Sequence, residues 1–413
     1  MLALPAGAVC AQNGSDTFDE ISAQIERKNF FRAEEIFEKA KDDLSPRQAR
    51  IVEAFLDNAF NRLENSQKNI ETLLSDTCGL TDSLIMELYF LQEDNAVKSY
   101  DYKQAERTLE TIIELYDKTL STDMRAGMEN NLKIWKALKN VPPQKVTVRH
   151  TVTLPITKDK AGLNTLPVDF PSGQQVNFVF DTGANFSTIG RTMAERLGMK
   201  IIPTDIAIGT ATGGKTSSQI AVCPQMKLGD IKIRNAIFLV LDDSALSFPK
   251  ADYEIYGIIG YPVMAALREI QITADGQFIV PAEETEINGR PNMAMDGLYP
   301  LISVNGRHYT FDTGADSSIL YYAFYEENRN EIDARYAPGK VSFAGAAGAK
   351  EFDGYTVDCN MEIMGRPVTL SGIYLLREKI TPAETVYGTL GQDLVRQFDK
   401  MTINFDRMFI RFD

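Results

Sequence analysis

Phe180-Asp-Thr-Gly-Ala184 and Phe311-Asp-Thr-Gly-Ala315 are one pentapeptide written twice, 131 residues apart, and the repetition extends outward from both copies. Ser187 matches Ser318 at the same offset, and Tyr256-Gly-Ile-Ile-Gly260 matches Tyr387-Gly-Thr-Leu-Gly391. Ile272, Asp275, Phe278 and Ile279 likewise match Ile403, Asp406, Phe409 and Ile410. A lone Asp-Thr-Gly suits any tight turn and is expected by chance about once in ten chains of this length, given average residue usage. Two copies, each followed 76 residues later by Tyr-Gly-x-x-Gly, mark an internal duplication.

Each unit reads as strands with short helices. Val176, Phe178 and Phe180 alternate along an apolar strand that runs into a turn at Asp181, and a helix near Thr192 to Leu197 ends at Gly198. Between the anchors, Gly209-Thr-Ala-Thr-Gly-Gly-Lys215 and Gly345-Ala-Ala-Gly348 read either as mobile hairpins over a ligand or as simple turns. Cys223 and Cys359 occupy related positions, which leaves open a disulfide or two packed thiols. Two similar β units predict pseudo-twofold packing, with equivalent residues meeting at the interface. Asp181 and Asp312 are then neighbours.

Upstream of the duplication the pattern changes. From Phe18 to about Leu138 turn residues are few and apolar residues recur at three- and four-residue spacing, which predicts helices. Asn29 to Ala40 is echoed by Asp101 to Ile112, with Ala33 and Ala105 in matching places and a weaker copy around Asn69. The period near 36 residues resembles tetratricopeptide-like helical hairpins, an irregular helical bundle being the alternative. Asn140-Val-Pro-Pro-Gln144 ends this region, since proline cannot continue a helix. Val146, Val148, His150, Val152 and Leu154 then alternate with polar residues, predicting one strand with His150 on its apolar face in a structural role. The expected division is a signal remnant over 1–14, a helical domain over 15–141, and β units over 142–285 and 286–413.

Composition narrows the function. A formal charge of −14 supplies no basic excess for nucleic acid or anionic membranes. Four separated cysteines and only His150 and His308 give no metal-ligand spacing, so no metal is expected. No run approaches the ~20 apolar residues of a membrane-spanning helix. The apolar start, Met1 to Gln12, ends in small residues like a clipped secretory signal, which points to export to a periplasmic or extracellular space. There is no phosphate loop and no nucleophile elbow.

The paired motif, over roughly Val146 to Asp413, resembles aspartic peptidases: Asp-Thr-Gly-Ala is similar to the retropepsin form, and two lobes in one chain are similar to pepsin. The resemblance implies a multidomain chain, a helical-repeat domain followed by a mainly-β bilobal acid-protease fold. It implies an endopeptidase in which Asp181 and Asp312 activate a water between them, a step that requires no cofactor, acting on a peptide or protein substrate. Thr182 and Thr313 brace the lobes, and Gly183 and Gly314 let backbone approach the carboxylates. Ala184, Asn185, Ala315, Asp316, Gly213 and Gly214 are candidate substrate contacts. Ala184 and Ala315 stand where pepsin-like enzymes have a hydroxyl that favours the charged carboxylate, so the expected optimum is mildly acidic to near neutral. Two other readings remain: a silent peptide-binding scaffold recruiting a protein partner through the helices, and a zymogen in which residues 15–141 cover the cleft.

Overall fold

The structure, a computed structural model, describes residues 6–209, 215–249, 252–287, 289–345 and 348–413. Seven helices come first: α1 (Ala6–Glu26), α2 (Phe30–Ala40), α3 (Pro46–Ala59), α4 (Leu63–Ser75), α5 (Asp82–Lys98), α6 (Tyr102–Leu115) and α7 (Thr122–Leu138). The two echoed segments start helices in the same way. Asn29 caps α2 by accepting from the Arg32 amide, and Asp101 caps α6 by accepting from the Gln104 amide, each satisfying a donor the helix cannot. Ala33 and Ala105 are both fully buried, and a smaller cluster of Ile51, Ala54, Ile70, Leu73, Leu88 and Leu91 joins α3, α4 and α5. Of the expected signal remnant, residues 1–5 lie outside the described residues and the backbone from Ala6 is helical.

The helices end at Leu138, ahead of the two prolines, and the rest of the chain is mainly β. The expected single strand from Val146 to Leu154 is two strands. Lys145–Thr147 pairs with Ile231–Leu241, whereas Val152–Pro155 pairs with Gln277–Val280 in a different sheet. The chain changes sheets between them, so His150 is exposed beside Asp230, 3.3 Å away, rather than packed on an apolar face. The alternation holds within each half and carries no sign of the break.

Two sheets repeat one arrangement. In a nine-stranded sheet, Gln175–Phe180 runs parallel to Gly257–Ile259, and the latter is antiparallel to Ser187–Gly190. In an eight-stranded sheet, Arg307–Phe311 runs parallel to Gly388–Leu390, which is antiparallel to Ile319–Leu320. Val179 opposite Ile258 corresponds to Thr310 opposite Thr389 at the offset of 131. A helix follows in each half, six residues in the first and fourteen, Tyr322–Arg335, in the second; Arg191–Arg196 is closed by Gly198 at φ +72°, a left-handed conformation that glycine adopts without strain.

A five-stranded sheet ties the halves together. Glu269–Thr273 pairs antiparallel with Lys400–Asn404, and Gln271 faces Thr402, its own counterpart in the repeat. Long hairpins extend from each larger sheet, Lys200–Gly209 with Lys215–Leu228 and Gly339–Gly345 with Gly348–Ile363. Their tips, including Gly213 and Gly214, lie outside the described residues. Cys223 and Cys359 are separate buried thiols, one in each hairpin's second strand.

Candidate active site

The parallel pairing beneath each pentapeptide decides where its aspartate goes. Gln175–Phe180 ends on the Asp181 amide donating to Ile259 O at 3.1 Å, and Arg307–Phe311 ends on the Asp312 amide donating to Leu390 O at 3.0 Å. Both chains then turn sharply. The Gly183 amide donates to Asp181 Oδ1 at 2.8 Å, and the Gly314 amide to Asp312 Oδ1 at 2.7 Å. Behind each turn the Tyr-Gly-x-x-Gly segment closes the support. Gly260 N donates to Ser187 Oγ at 3.1 Å and Gly391 N to Ser318 Oγ at 3.0 Å. The Ala184 and Ala315 carbonyls accept from the Tyr261 and Gln392 amides. A side chain at Gly260 or Gly391 would strike those carbonyls, since a Cβ would lie 2.7 or 2.6 Å away, so both turns need glycine.

The two turns meet. Thr182 and Thr313 are buried and exchange hydrogen bonds between the halves, and each carboxyl group lies over the other half's glycine. A Cβ on Gly183 would lie 2.6 Å from Asp312 Cγ, and one on Gly314 would lie 2.4 Å from Asp181 Cγ. Asp181 and Asp312 hydrogen-bond directly through their side chains. Burial first, and then the charge and hydrogen bond of Asp312, hold Asp181 well above the usual carboxylate range, while the Gly183 and Ala184 amides pull the other way. Two carboxyls held this close can share one proton, an arrangement that leaves one oxygen basic and another able to donate.

The other expected contacts divide. Asn185 lies near the Tyr299 hydroxyl, and among the described residues nothing donates to its buried Oδ1. Asp316 is held by Arg396, which donates 2.7 Å to its carboxylate and 2.9 Å to its carbonyl. Tyr299 is not legible in the sequence. It lies within the field of both aspartates, half-exposed at the start of the Tyr299–Val304 strand, and no local pattern marks it. Tyr321 is a second such residue. Its hydroxyl shares a 2.7 Å hydrogen bond with Thr389 Oγ1, and burial pushes its phenol up to about 12. On the first half, a cavity of about 600 Å³ beside the strand leading to Asp181 is lined by Lys158, Thr165, Asn177, Val179, Tyr253 and Tyr256 among others.

Among the described residues no cluster of three or more His, Cys, Asp or Glu side chains could hold a metal ion, and no helix is long and apolar enough to cross a membrane. Among curated proteins none matches the sequence. Solved structures with a similar course include the basic 7S globulin from soybean, at 11% identity and a TM-score of 0.41 over 64% of this chain and 95% of that one. A retropepsin-like aspartic protease from Rickettsia conorii aligns at 18% identity and a TM-score of 0.24, over 32% of this chain and 99% of that one. Residues 166–263, which contain Asp181 and its Gly257-Ile-Ile-Gly260 support, match the family described as aspartyl protease, so the mainly-β region carries an aspartyl protease domain.

Proposed function

We propose that this chain is an aspartic endopeptidase whose two aspartates, Asp181 and Asp312, come from two lobes, 142–285 and 286–413, related by a pseudo-twofold axis. The observation that carries the reading is the crossed arrangement in which each carboxyl lies against the other motif's glycine and the two carboxyls meet, so that they can share a proton. In this mechanism a water between the carboxyls gives a proton to the ionised oxygen as it attacks the substrate carbonyl. The protonated carboxyl donates to the carbonyl oxygen, and proton return to the amide nitrogen releases the amine. Thr182, Gly183, Thr313 and Gly314 fix the carboxyls, while Ala184, Asn185, Ala315 and Asp316 line the approach. The cavity beside Val179 gives room for a substrate side chain, with Lys158 and Tyr256 at hand. The helices over 15–141 form a repeat-like array that recruits a protein partner, and the protein acts after export.

The test is cleavage of a mixed peptide library from pH 3 to 8 by the intact chain, Asp181→Asn and Asp312→Asn. Removing proton transfer should lower the rate at least about a hundredfold in either variant. A parent chain that cleaves nothing, yet retains peptides, moves the reading to a peptide-binding scaffold.

A further inference from the structure

The halves of the site are not supported alike, and the difference leads to the helices. In the second half, the residues after Gly391 brace the motif themselves. Gln392 Nε2 donates 2.7 Å to Thr313 O, and Ser318 Oγ donates 2.6 Å to Asp393 Oδ1. At the offset of 131, the first half has Tyr261 and Pro262 instead, and a proline side chain offers no such bond. The Pro262 carbonyl is taken up from outside the β unit, by the Tyr100 hydroxyl at 2.7 Å and Gln144 Nε2 at 2.8 Å. Tyr100 stands in the turn between α5 and α6, and Gln144 in the connection after α7.

The same helices hold two further parts of that half. Trp135 of α7 stacks on Tyr102 of α6 and packs against Phe186, in the loop that follows Asp181, with ring centroids 6.4 Å apart. Earlier on α7, Asn130 pairs with the free edge of Lys200–Gly209, its Nδ2 donating to Ala207 O and its Oδ1 accepting from Ala207 N, both at 2.8 Å. Lys133 Nζ donates to Asp205 O on the same edge at 2.8 Å. Ile112, Met128, Ile134 and Leu138 share one apolar core with Ile206 and Ile220 of that hairpin. An edge strand presents unpaired backbone groups, and here α7 supplies their partners.

We infer that α5 to α7 are a fixed brace of the Asp181 half, with Tyr100, Asn130 and Trp135 as positioning residues for peptide cleavage, so that the helical region is a working part of the enzyme and not a removable cover. This rests on the peptidase reading proposed above. Tyr100 acts on the turn behind Asp181 and so on the chemical step. Asn130 acts on the hairpin and so on capture of the peptide.

The experiment compares the full chain with Tyr100→Phe/Gln144→Leu, with Asn130→Ala, and with Asn131→Ala as an exposed control on the same helix. Peptide cleavage gives kcat and KM, and amide exchange reads the Tyr261 and Ala207 N–H groups. The brace predicts about a tenfold fall in kcat with KM little changed for the double variant. It predicts about a fivefold rise in KM with kcat little changed for Asn130→Ala. Exchange should quicken at Tyr261 in the first and at Ala207 in the second, with both variants still folded under the assay conditions and the double variant unfolding earlier than the control because the Pro262 carbonyl is left unpaired. Higher activity in either variant would mean a cover and overturns the brace, as do kinetics equal to the control. A parent that cleaves no peptide overturns the peptidase reading instead; exchange then decides the brace alone, and unchanged protection at Ala207 and Tyr261 sinks it.

Discussion

Thr182 and Thr313 hold each other by the same two bonds in opposite directions. The Thr182 amide donates to Thr313 Oγ1 at 3.0 Å, and the Thr313 amide donates to Thr182 Oγ1 at 2.9 Å. Each hydroxyl then donates onward across the interface, Thr182 to Phe311 O at 2.9 Å and Thr313 to Phe180 O at 3.1 Å. The acceptors are the residues just before the two aspartates. Four bonds therefore fix the spacing of the carboxyls without touching them.

Thr182→Val keeps the shape of the side chain and removes one hydroxyl. It leaves the Thr313 amide and the Phe311 carbonyl unpaired in a buried place, which costs about 2 to 4 kcal/mol. Thr313→Val should cost a similar amount in urea unfolding. Because both act on one interface, the double variant should lose less than the sum of the two. Strict additivity would mean the bonds do not act as a unit.

Gly183→Ala and Gly314→Ala test the crossed packing of the carboxyls. The added methyl carbon would lie 2.6 or 2.4 Å from the opposite Cγ, and the neighbour to be displaced is a carboxyl on which the proposed mechanism depends. Displacing it by about 1 Å is worth about a hundredfold in rate. Circular dichroism should show a folded chain whose peptide cleavage has fallen by that factor or more. Normal cleavage by either variant would mean the carboxyls do not need their present separation.

The meeting of Asp181 and Asp312 is legible in the sequence because its determinants are contiguous: the strand end, the bracing threonine and the turn glycine fall within five residues. The same holds for the Tyr-Gly-x-x-Gly supports, whose strands pair at the spacing the repeat implied. The sequence did not carry the break between Lys145–Thr147 and Val152–Pro155, since alternation looks the same for one strand or for two in different sheets. Nor did it carry Tyr299, Tyr100 or Asn130. Their partners, Asn185, Pro262 and Ala207, lie far along the chain, and no local period encodes such a contact. In the sequence the motif's fifth position stands out for its missing hydroxyl, whereas in the structure burial is the largest influence on Asp181.

That burial sets the expected pH profile. Asp181 is raised, so the proton it shares with Asp312 persists above the usual carboxylate range, and cleavage should continue into mildly acidic to near-neutral solution before falling as that proton is lost. On the acid side, protonating both carboxyls removes the base. A bell-shaped kcat/KM is expected, measured with one peptide from about pH 2 to 8. A maximum below about pH 3, in the range of the more acidic aspartyl pairs, would contradict the assignment.

Glu93 supplies a second pH effect, on stability and away from the dyad. Burial raises this α5 carboxyl from 4.5 to about 7, helped by the nearby Asp94 charge and opposed by the hydrogen bond from Trp135 Nε1 at 2.7 Å. A raised folded-state value means the folded chain binds the proton more tightly than the unfolded chain does. Its contribution is therefore complete below about 4.5 and is lost as pH rises through about 7. Glu93→Gln keeps an acceptor for the Trp135 indole and has no charge to bury. Its urea stability should match the parent in acid and exceed it by up to about 3 kcal/mol at pH 8.5, since each tenfold difference in proton affinity between folded and unfolded chain is worth about 1.4 kcal/mol. Parallel curves from pH 5.5 to 8.5 would mean that Glu93 is solvated. The advantage should pass on to the Trp135 to Phe186 contact, because α7 holds Trp135 between Tyr102 and the loop that follows Asp181.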